Sequence, residues 1–405
     1  MIDELWRMNA IRSDRVATAF AQVGRHVFAP GVPLHEVYAP TTAVKTKYDE
    51  HGAPTSSISA PQIQAFMLEQ ANIQPGMHVL EVGSGGVNAA MMAELVGKTG
   101  SVTTMDIDPE ITDRAHRFLD AAGYSRVRVA CGDAEHGLPG TGPFDAILVT
   151  VGFWDIPPEL TKRLAERGRL VVPLRMRGLT CSVALQREAG RLVSHSAELC
   201  GFVKIQGRGA HQELIVPLHG DQIGLRFDDD NIPINPDLLA GALSTDGIDA
   251  WSGVTVAGME AFDTLQLWLA TVLPGFCLLT ANDYDPTTAD GPALSDANSR
   301  WFPTAFVDDH GDSFAYLIST RRGEDTFELG SRGFGPHGHD AAMNMSEQIR
   351  IWDRAHRRDP KPVITVDQDN AGTDAVLDTS AKVVINKRHS RVTISWPPLN
   401  THEVN

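Results

Sequence analysis

Between about residues 61 and 187 the chain changes the period of its apolar positions again and again. The runs 78–83 (HVLEVG), 101–108 (SVTTMDID), 126–130 (RVRVA), 146–151 (AILVTV) and 168–174 (GRLVVPL) are short and rich in β-branched residues, whereas 88–98, 109–122 and 157–167 have helical length and spacing. Strand alternating with helix at this rhythm predicts an α/β fold, a parallel doubly wound sheet with helices on both faces. Pro109 and Pro157 fall at helix starts, where a missing N–H removes no hydrogen bond. Upstream, Leu5, Met8, Ile11, Val16, Phe20 and Val23 recur at near-helical spacing and predict an amphipathic helix over 3–25.

Beyond about residue 215 the texture changes. Turn-rich stretches at 228–233 and 282–299 separate apolar segments at 265–273, 313–319 and 391–396, and 341–357 has the pattern of a helix. Trp251, Trp268, Trp301, Trp352 and Trp396 supply the bulk for a folded second part. The expected division is a catalytic domain over 1–215 and a second, smaller α+β domain over 216–405.

Composition narrows the class of protein. The chain has 405 residues, 42% hydrophobic and 21% charged. That is globular, with length for two or three domains of roughly 150 residues. No run approaches the roughly 18 apolar residues of a membrane span, and MIDELWRMNA lacks the basic start and apolar core of a signal peptide. A cytoplasmic protein with no membrane partner is expected. Cys131, Cys181, Cys200 and Cys277 are far apart and form no CxxC pair, so they read as small buried apolar side chains rather than a metal, redox or disulfide framework. The net charge of -16 is uneven. Residues 1–215 carry 21 basic and 23 acidic side chains, a net of -2, and residues 216–405 carry 14 and 28, a net of -14. Nucleic acid is disfavoured as a partner, because phosphate binding needs clustered Lys and Arg.

The chemistry concentrates at the strand ends. Glu81-Val82-Gly83-Ser84-Gly85-Gly86-Val87-Asn88 leaves the first core strand and opens a helix, and glycines there let the backbone turn and approach a ligand closely. Pyrophosphate would be repelled by Glu81; a cofactor with a cationic amino-acid end suits it. Asp106 ends the second strand, placed for ribose hydroxyls, and Gly132-Asp133-Ala134 follows the third, where an adenine amino group can be met. Acid, acid and Gly-Asp at three successive strand ends is the arrangement for S-adenosylmethionine (SAM).

Further strings place the first half in a family. Arg25-His26-Val27-Phe28-Ala29-Pro30, Ser57-Ile58-Ser59-Ala60-Pro61, PGMHVLEVGSGG (75–86), GDAEHGLP (132–139), PFDAILVT (143–150), GRLVVP (168–173) and Phe202-Val203-Lys204-Ile205 occur in order. Over about residues 8–215 the chain resembles the protein-L-isoaspartate O-methyltransferases. The resemblance implies a Rossmann-like, SAM-dependent enzyme that methylates a peptide-borne carboxylate. Carried over by position, Ser57, Ile58, Ser59 and Gln62 lie along SAM, Ser59 is the catalytic residue facing the substrate carboxyl, and Glu81, Gly83, Ser84, Gly85, Asp106, Asp133 and Ala134 complete the cofactor site. The chain departs from the family at Val87, where a third glycine is usual, and at Gln62, where some relatives have His.

The second half resembles the C-terminal part of a branch that serves ribosomal peptide pathways, the aspartate O-methyltransferases accompanying lanthipeptides and graspetides. The residues are Phe262-Asp263-Thr264-Leu265-Gln266-Leu267-Trp268-Leu269-Ala270, Gly335-Pro336-His337, Gln348-Ile349-Arg350-Ile351-Trp352 and 387–396 (KRHSRVTISW). This implies, as the leading expectation, esterification of an Asp in a modified, macrocyclic precursor peptide, followed by methanol loss to aspartimide or isoaspartate. The alternatives are repair of isoaspartyl sites in damaged proteins and a SAM-binding protein without turnover. His211, Lys387 and Arg388 are candidate substrate contacts, the last two as a grip for an acidic peptide. Ser59 also has the position of a helix cap before Pro61. No metal is expected: His337-Gly338-His339-Asp340 lacks a spaced partner and reads as a turn.

Overall fold

The computed structural model describes residues 1–138, 141–229, 234–258, 260–281, 294, 304–358, 360–368 and 381–398. Residues 230–233 of one expected turn-rich stretch, and all of the other (282–299) except Leu294, lie outside them.

The five expected core strands form one end of a ten-stranded sheet. Leu164–Met176, Phe144–Val149, His78–Val82, Ser101–Asp106 and Arg128–Cys131 are neighbours in that order and all parallel. The order of the chain across the sheet reverses between His78–Val82 and Phe144–Val149, and a crevice outside the carboxyl ends of strands at such a reversal is where ligands bind. Near-continuous apolar runs follow from cover on both faces. On one face Val79, Leu148 and Val171 pack with Leu68 of helix Pro61–Ala71, Met92 of helix Val87–Val96 and the N-terminal helices. On the other, Leu80, Val82 and Ile147 share a core with Trp268, Ile349, Trp352, Ile394 and Trp396.

That second face decides how the halves are joined. The sheet continues antiparallel through Leu179–Glu188 and Arg191–Leu199, then takes Val363–Gln368, Ser390–Trp396 and Ala381–Asn386 from the end of the chain. A boundary at 215/216 therefore does not follow sheet membership. Arg191 clasps Asp367 across this join at 2.9 and 2.6 Å. The residues between build a seven-stranded antiparallel sheet in the order Leu214–His219, Ile223–Phe227, Gly275–Ala281, Thr304–Val307, Phe314–Arg321, Thr326–Phe334, Ile248–Ala257. Helix Gly338–Ala355 lies on it, with Ser346 Oγ donating to the Ala250 carbonyl at 2.6 Å.

Three local expectations need correction. The helix over 3–25 is two helices, Ile2–Arg7 and Asp14–Gln22: Asn9 takes a left-handed φ of 55°, and Ser13 caps the second helix by accepting from Val16 N. The helix over 157–167 is a single turn, Pro158–Thr161, because residues from Leu164 onward pair along Phe144–Val149. Of the cysteines, Cys181 and Cys277 are buried as expected, but Cys131 is exposed and Cys200 half-buried. No helix among the described residues is long and apolar enough to cross a membrane.

Candidate active site

Two hollows of about 460 and 420 Å³ open at the carboxyl ends of the parallel strands and share Thr55, Gly83, Asp106 and Val151. They are two lobes of one cleft at the reversal point of the sheet. Gly83 lines both, and Ser84 and Gly85 continue along the second. Gly83 has φ +101°, and a Cβ there would stand 2.5 Å from Thr150 Oγ1; that hydroxyl in turn donates to the Gly83 carbonyl at 2.8 Å. Only glycine meets both demands. Gly86 has φ +85° and the Phe28 ring 3.0 Å from its Cβ position, so the displaced glycine is required where it stands. Val87 follows as the first helical residue, buried beside the cleft.

The second lobe carries a group of unmatched polar atoms. Glu81 is 1% exposed. Its Oε2 accepts from Thr104 Oγ1 at 2.6 Å, while Oε1 is shut off from water with no partner among the described residues, as are Ser84 Oγ and Asn88 Oδ1. Burial pushes the Glu81 carboxyl up to about 7, against the pull of the Thr104 hydrogen bond. Unmatched polar atoms at this depth are costly unless a ligand meets them. Asp106 accepts from Ser84 N and Asp108 N, both at 3.0 Å; burial raises its pKa above the usual carboxylate value. These bonds leave lone pairs on both oxygens.

The first lobe ends at Asp133 and Ala134. Asp133 accepts from Glu135 N at 2.9 Å and from Arg208 N at 3.1 Å, so the turn Gly207–Gly209 is fastened to this end of the cleft. A hairpin from the end of the chain closes on the same rim. His389 Nε2 lies 2.5 Å from Glu135 Oε1, and Arg388 donates to the Arg208 carbonyl at 2.5 Å.

Ser57, Ile58 and Ser59 line the second lobe. Strand Pro54–Ile58 pairs with Val44–Tyr48 in a ribbon tethered by Lys47 to Asp108 at 2.6 Å. The Ser59 hydroxyl is not a helix cap: Ala60 holds the cap position of the following helix, with no side-chain bond. Its carbonyl accepts from Arg25 Nη2 at 2.5 Å. Arg25 is 3% exposed, and its other bonds go to the Val37 carbonyl at 2.7 Å and to Gln64 Oε1. Burial among these neutral groups lowers the guanidinium to about 10.

Four expected residues are placed elsewhere. Gln62 is absent from the lining of either lobe, and Gln64 stands there instead; two residues along a helix differ by about 200° in direction, so the two glutamines face opposite ways. Lys387 is not a surface grip. It is 5% exposed, its Nζ donates to the carbonyls of Trp154 and Arg175, it lies 5.4 Å from the centre of the Trp154 ring, and burial lowers it to about 8. Arg388 is exposed but occupied with the Arg208 carbonyl. His211 stacks on Trp154 at 3.8 Å and 3° and meets the Asp228 carbonyl at 2.9 Å. It lines a neighbouring hollow that shares only Lys204 with the cleft. Sequence reading missed Arg25, Gln64 and Thr150 as site residues. Arg25 was visible in the motif at 25–30 and Thr150 ends the string 143–150; nothing local marks Gln64.

Comparison with known proteins identifies the family of the first half of the chain. The profile of the family described as protein-L-isoaspartate(D-aspartate) O-methyltransferase matches residues 1–210. A protein-L-isoaspartate O-methyltransferase of Hyperthermus butylicus is 36% identical over 223 residues, covering 53% of this chain and 90% of that protein. Another, of Gloeobacter violaceus, is 40% identical over 178 residues, 43% of this chain and 80% of that protein. Among solved structures, a protein-L-isoaspartate O-methyltransferase aligns over 90% of this chain and 96% of its own at 19% identity and TM-score 0.49. One from Plasmodium falciparum, in complex with S-adenosyl-L-homocysteine, aligns over 51% and 96% at 21% identity and TM-score 0.43.

Proposed function

This chain belongs to the protein-L-isoaspartate O-methyltransferase family, and from that premise we propose that it methylates the free α-carboxyl of an isoaspartyl residue, whose side-chain carboxyl is taken up in the peptide bond, in a peptide or protein. The cofactor is SAM, which when bound supplies an electrophilic methyl group. The residues present fit it. Glu81, with its unpartnered Oε1, together with Ser84 and Asn88 would meet the charged amino-acid end, Gly83 and Gly85 leave room for close approach, Asp106 would hold the ribose, and Asp133 with Ala134 the adenine.

The observation that carries the reading is Ser59. It lines the same lobe as Glu81 and Ser84, its backbone is pinned by a buried guanidinium, and its hydroxyl has no partner among the described residues. Carboxylate methylation needs little proton transfer, since a free carboxyl with a pKa of about 3–4 is already ionised at neutral pH. What the protein must supply is position and exclusion of water. In this reading Ser59 donates to one carboxylate oxygen, and Arg25 fixes Ser59 and adds a positive potential behind it. The ester so formed is attacked by the following backbone nitrogen, which expels methanol and closes a succinimide.

The peptide-pathway acceptor, a normal Asp in a macrocyclic precursor, was the leading expectation from sequence; the comparisons support the isoaspartyl acceptor better. It is kept as a second reading because Arg388 and His389 bond to Arg208 and Glu135, close in the chain to the cleft residues Gln206 and Ala134, so the second half has a place near the cleft from which to contact substrate. The deciding experiment incubates the full chain with SAM and, separately, a linear isoaspartyl peptide, its normal Asp counterpart and a cyclised precursor, followed by mass spectrometry. Methylation of the isoaspartyl peptide is expected. Transfer to the cyclised precursor alone would replace the first reading with the second, and SAM binding with no acceptor would favour the non-catalytic alternative.

A further inference from the structure

The loop between strands Thr304–Val307 and Phe314–Arg321 meets the residue preceding helix Gly338–Ala355, and three side chains with lone pairs converge there. One ligand atom each from Asp308, His310 and His337 lies within 4.8 Å of the other two. None of the three lines the cleft. Read along the chain, His337 had only His339 and Asp340 beside it, and these two pair with each other at the surface, 3.2 Å apart. Its partners come instead from 27 and 29 positions upstream (337 − 310 and 337 − 308).

Each of the three is prepared differently. His337 Nδ1 lies 2.9 Å from Asp312 Oδ1, which also accepts from the Ser313 hydroxyl at 2.8 Å. With Nδ1 bonded to a carboxylate, Nε2 keeps its lone pair outward, the arrangement by which a second carboxylate orients a metal-binding imidazole. The backbone of His337 is held by Ser313 Oγ at 2.7 Å, so the ring has a fixed origin. Asp308 uses Oδ1 to accept from Gly311 N and Ser313 N at 3.1 Å each; its Oδ2 is shut off from water and has no partner among the described residues. His310 is exposed and lies against His337, ring centres 4.0 Å apart and planes 17° from parallel.

We propose that Asp308, His310 and His337 form a binding site for a divalent ion of the zinc class. Two imidazoles and one carboxylate suit zinc, nickel or cobalt, whereas calcium and magnesium need six or more oxygens. Ligand atoms around zinc stand about 2.0–2.2 Å from the ion, which lies in the plane of each imidazole, so the two stacked rings must part on binding, and the exposed His310 on its loop is the side chain that would turn to meet the ion. The helix N-terminus beside His337 opposes a cation; the carboxylates of Asp308, Asp309, Asp312 and Asp340 offset it. The bound ion would tie the loop 308–313 to the start of the 18-residue helix Gly338–Ala355.

The test uses the full-length protein, stripped with a chelator and titrated calorimetrically with Zn²⁺ alone. One ion per chain is expected, with Mg²⁺ and Ca²⁺ giving no heat. H310A removes an exposed side chain that supports no backbone hydrogen bond, so circular dichroism should match the wild type while Zn²⁺ affinity falls at least tenfold. H337Q should do the same. SAM affinity should be equal with and without Zn²⁺ and in both variants. No stoichiometric uptake by the wild type, or uptake that survives H310A, would overturn the assignment.

Discussion

Replacing Glu81 with Gln separates two effects that the fold ties to one carboxylate. Without ligand, burial holds this acid at about 7 instead of 4.5 because its charged form is denied water. A folded pKa above the unfolded one means that the protonated acid supports the fold: its contribution is complete below pH 4.5 and is gone once pH has risen through 7. The interval from 4.5 to about 7 corresponds to about 3 kcal/mol. Gln keeps the shape and an acceptor for Thr104 but carries no charge, so E81Q is expected to be more stable than wild type at pH 8, by part of that figure, and to lose the advantage at pH 5. Ligand binding has the opposite sign. The ammonium of SAM needs the ionised carboxylate, so wild-type affinity should fall roughly tenfold from pH 8 to pH 6, with a proton released on binding. A hydrogen bond to a charged group contributes about 1.5–3 kcal/mol, so E81Q should bind SAM roughly ten- to one-hundred-fold more weakly, with no pH dependence. Thermal unfolding without ligand gives the first quantity; calorimetry at pH 6, 7 and 8 in two buffers of different ionisation heat gives the second. An E81Q protein that is less stable than wild type at pH 8, or that binds SAM with the wild-type pH profile, refutes the reasoning.

Ser59→Ala should lower kcat/KM for a carboxylate acceptor roughly ten- to one-hundred-fold, the equivalent of one charge-assisted hydrogen bond, while SAM affinity measured by calorimetry stays within about twofold. Gly83→Ala places a Cβ 2.5 Å from Thr150 Oγ1 at a φ of +101°, and unfolding experiments should show a loss of about 1–3 kcal/mol, the usual cost of such strain. Asp228→Asn removes a fully buried carboxylate from Arg175, itself buried and shared with Glu213; an uncompensated buried charge costs about 3–5 kcal/mol. Part of that is recovered from Glu213, so a drop of about 3 kcal/mol in denaturant unfolding is expected.

The parallel sheet, its strand order of acids and the glycine loop were legible in the amino-acid sequence because each is a local property. Apolar runs of strand length must be covered on both faces, a residue at φ +101° must be glycine, and an acid at a strand end stays at the carboxyl edge whatever surrounds it. Glu81, Asp106 and Asp133 therefore line one cleft, and Ser59, expected there from the family resemblance, lines it with them. Other features depend on which distant segments touch, and no local pattern encodes that. Gln64 rather than Gln62 faces the cleft, and Arg25, from a separate segment, holds it there. Lys387, which looked like surface charge, is buried because its hairpin inserts against Trp154 and its ammonium finds two carbonyls there. The division expected near residue 215 is crossed because the final strands pair with Arg191–Leu199 and share the core of the first sheet, contacts between segments far apart in the chain. Asp308, His310 and His337 meet only after a strand pair and a helix have packed. Burial and pairing energies accumulate over the whole folded surface, so tertiary structure decides which charges are hidden and which side chains meet.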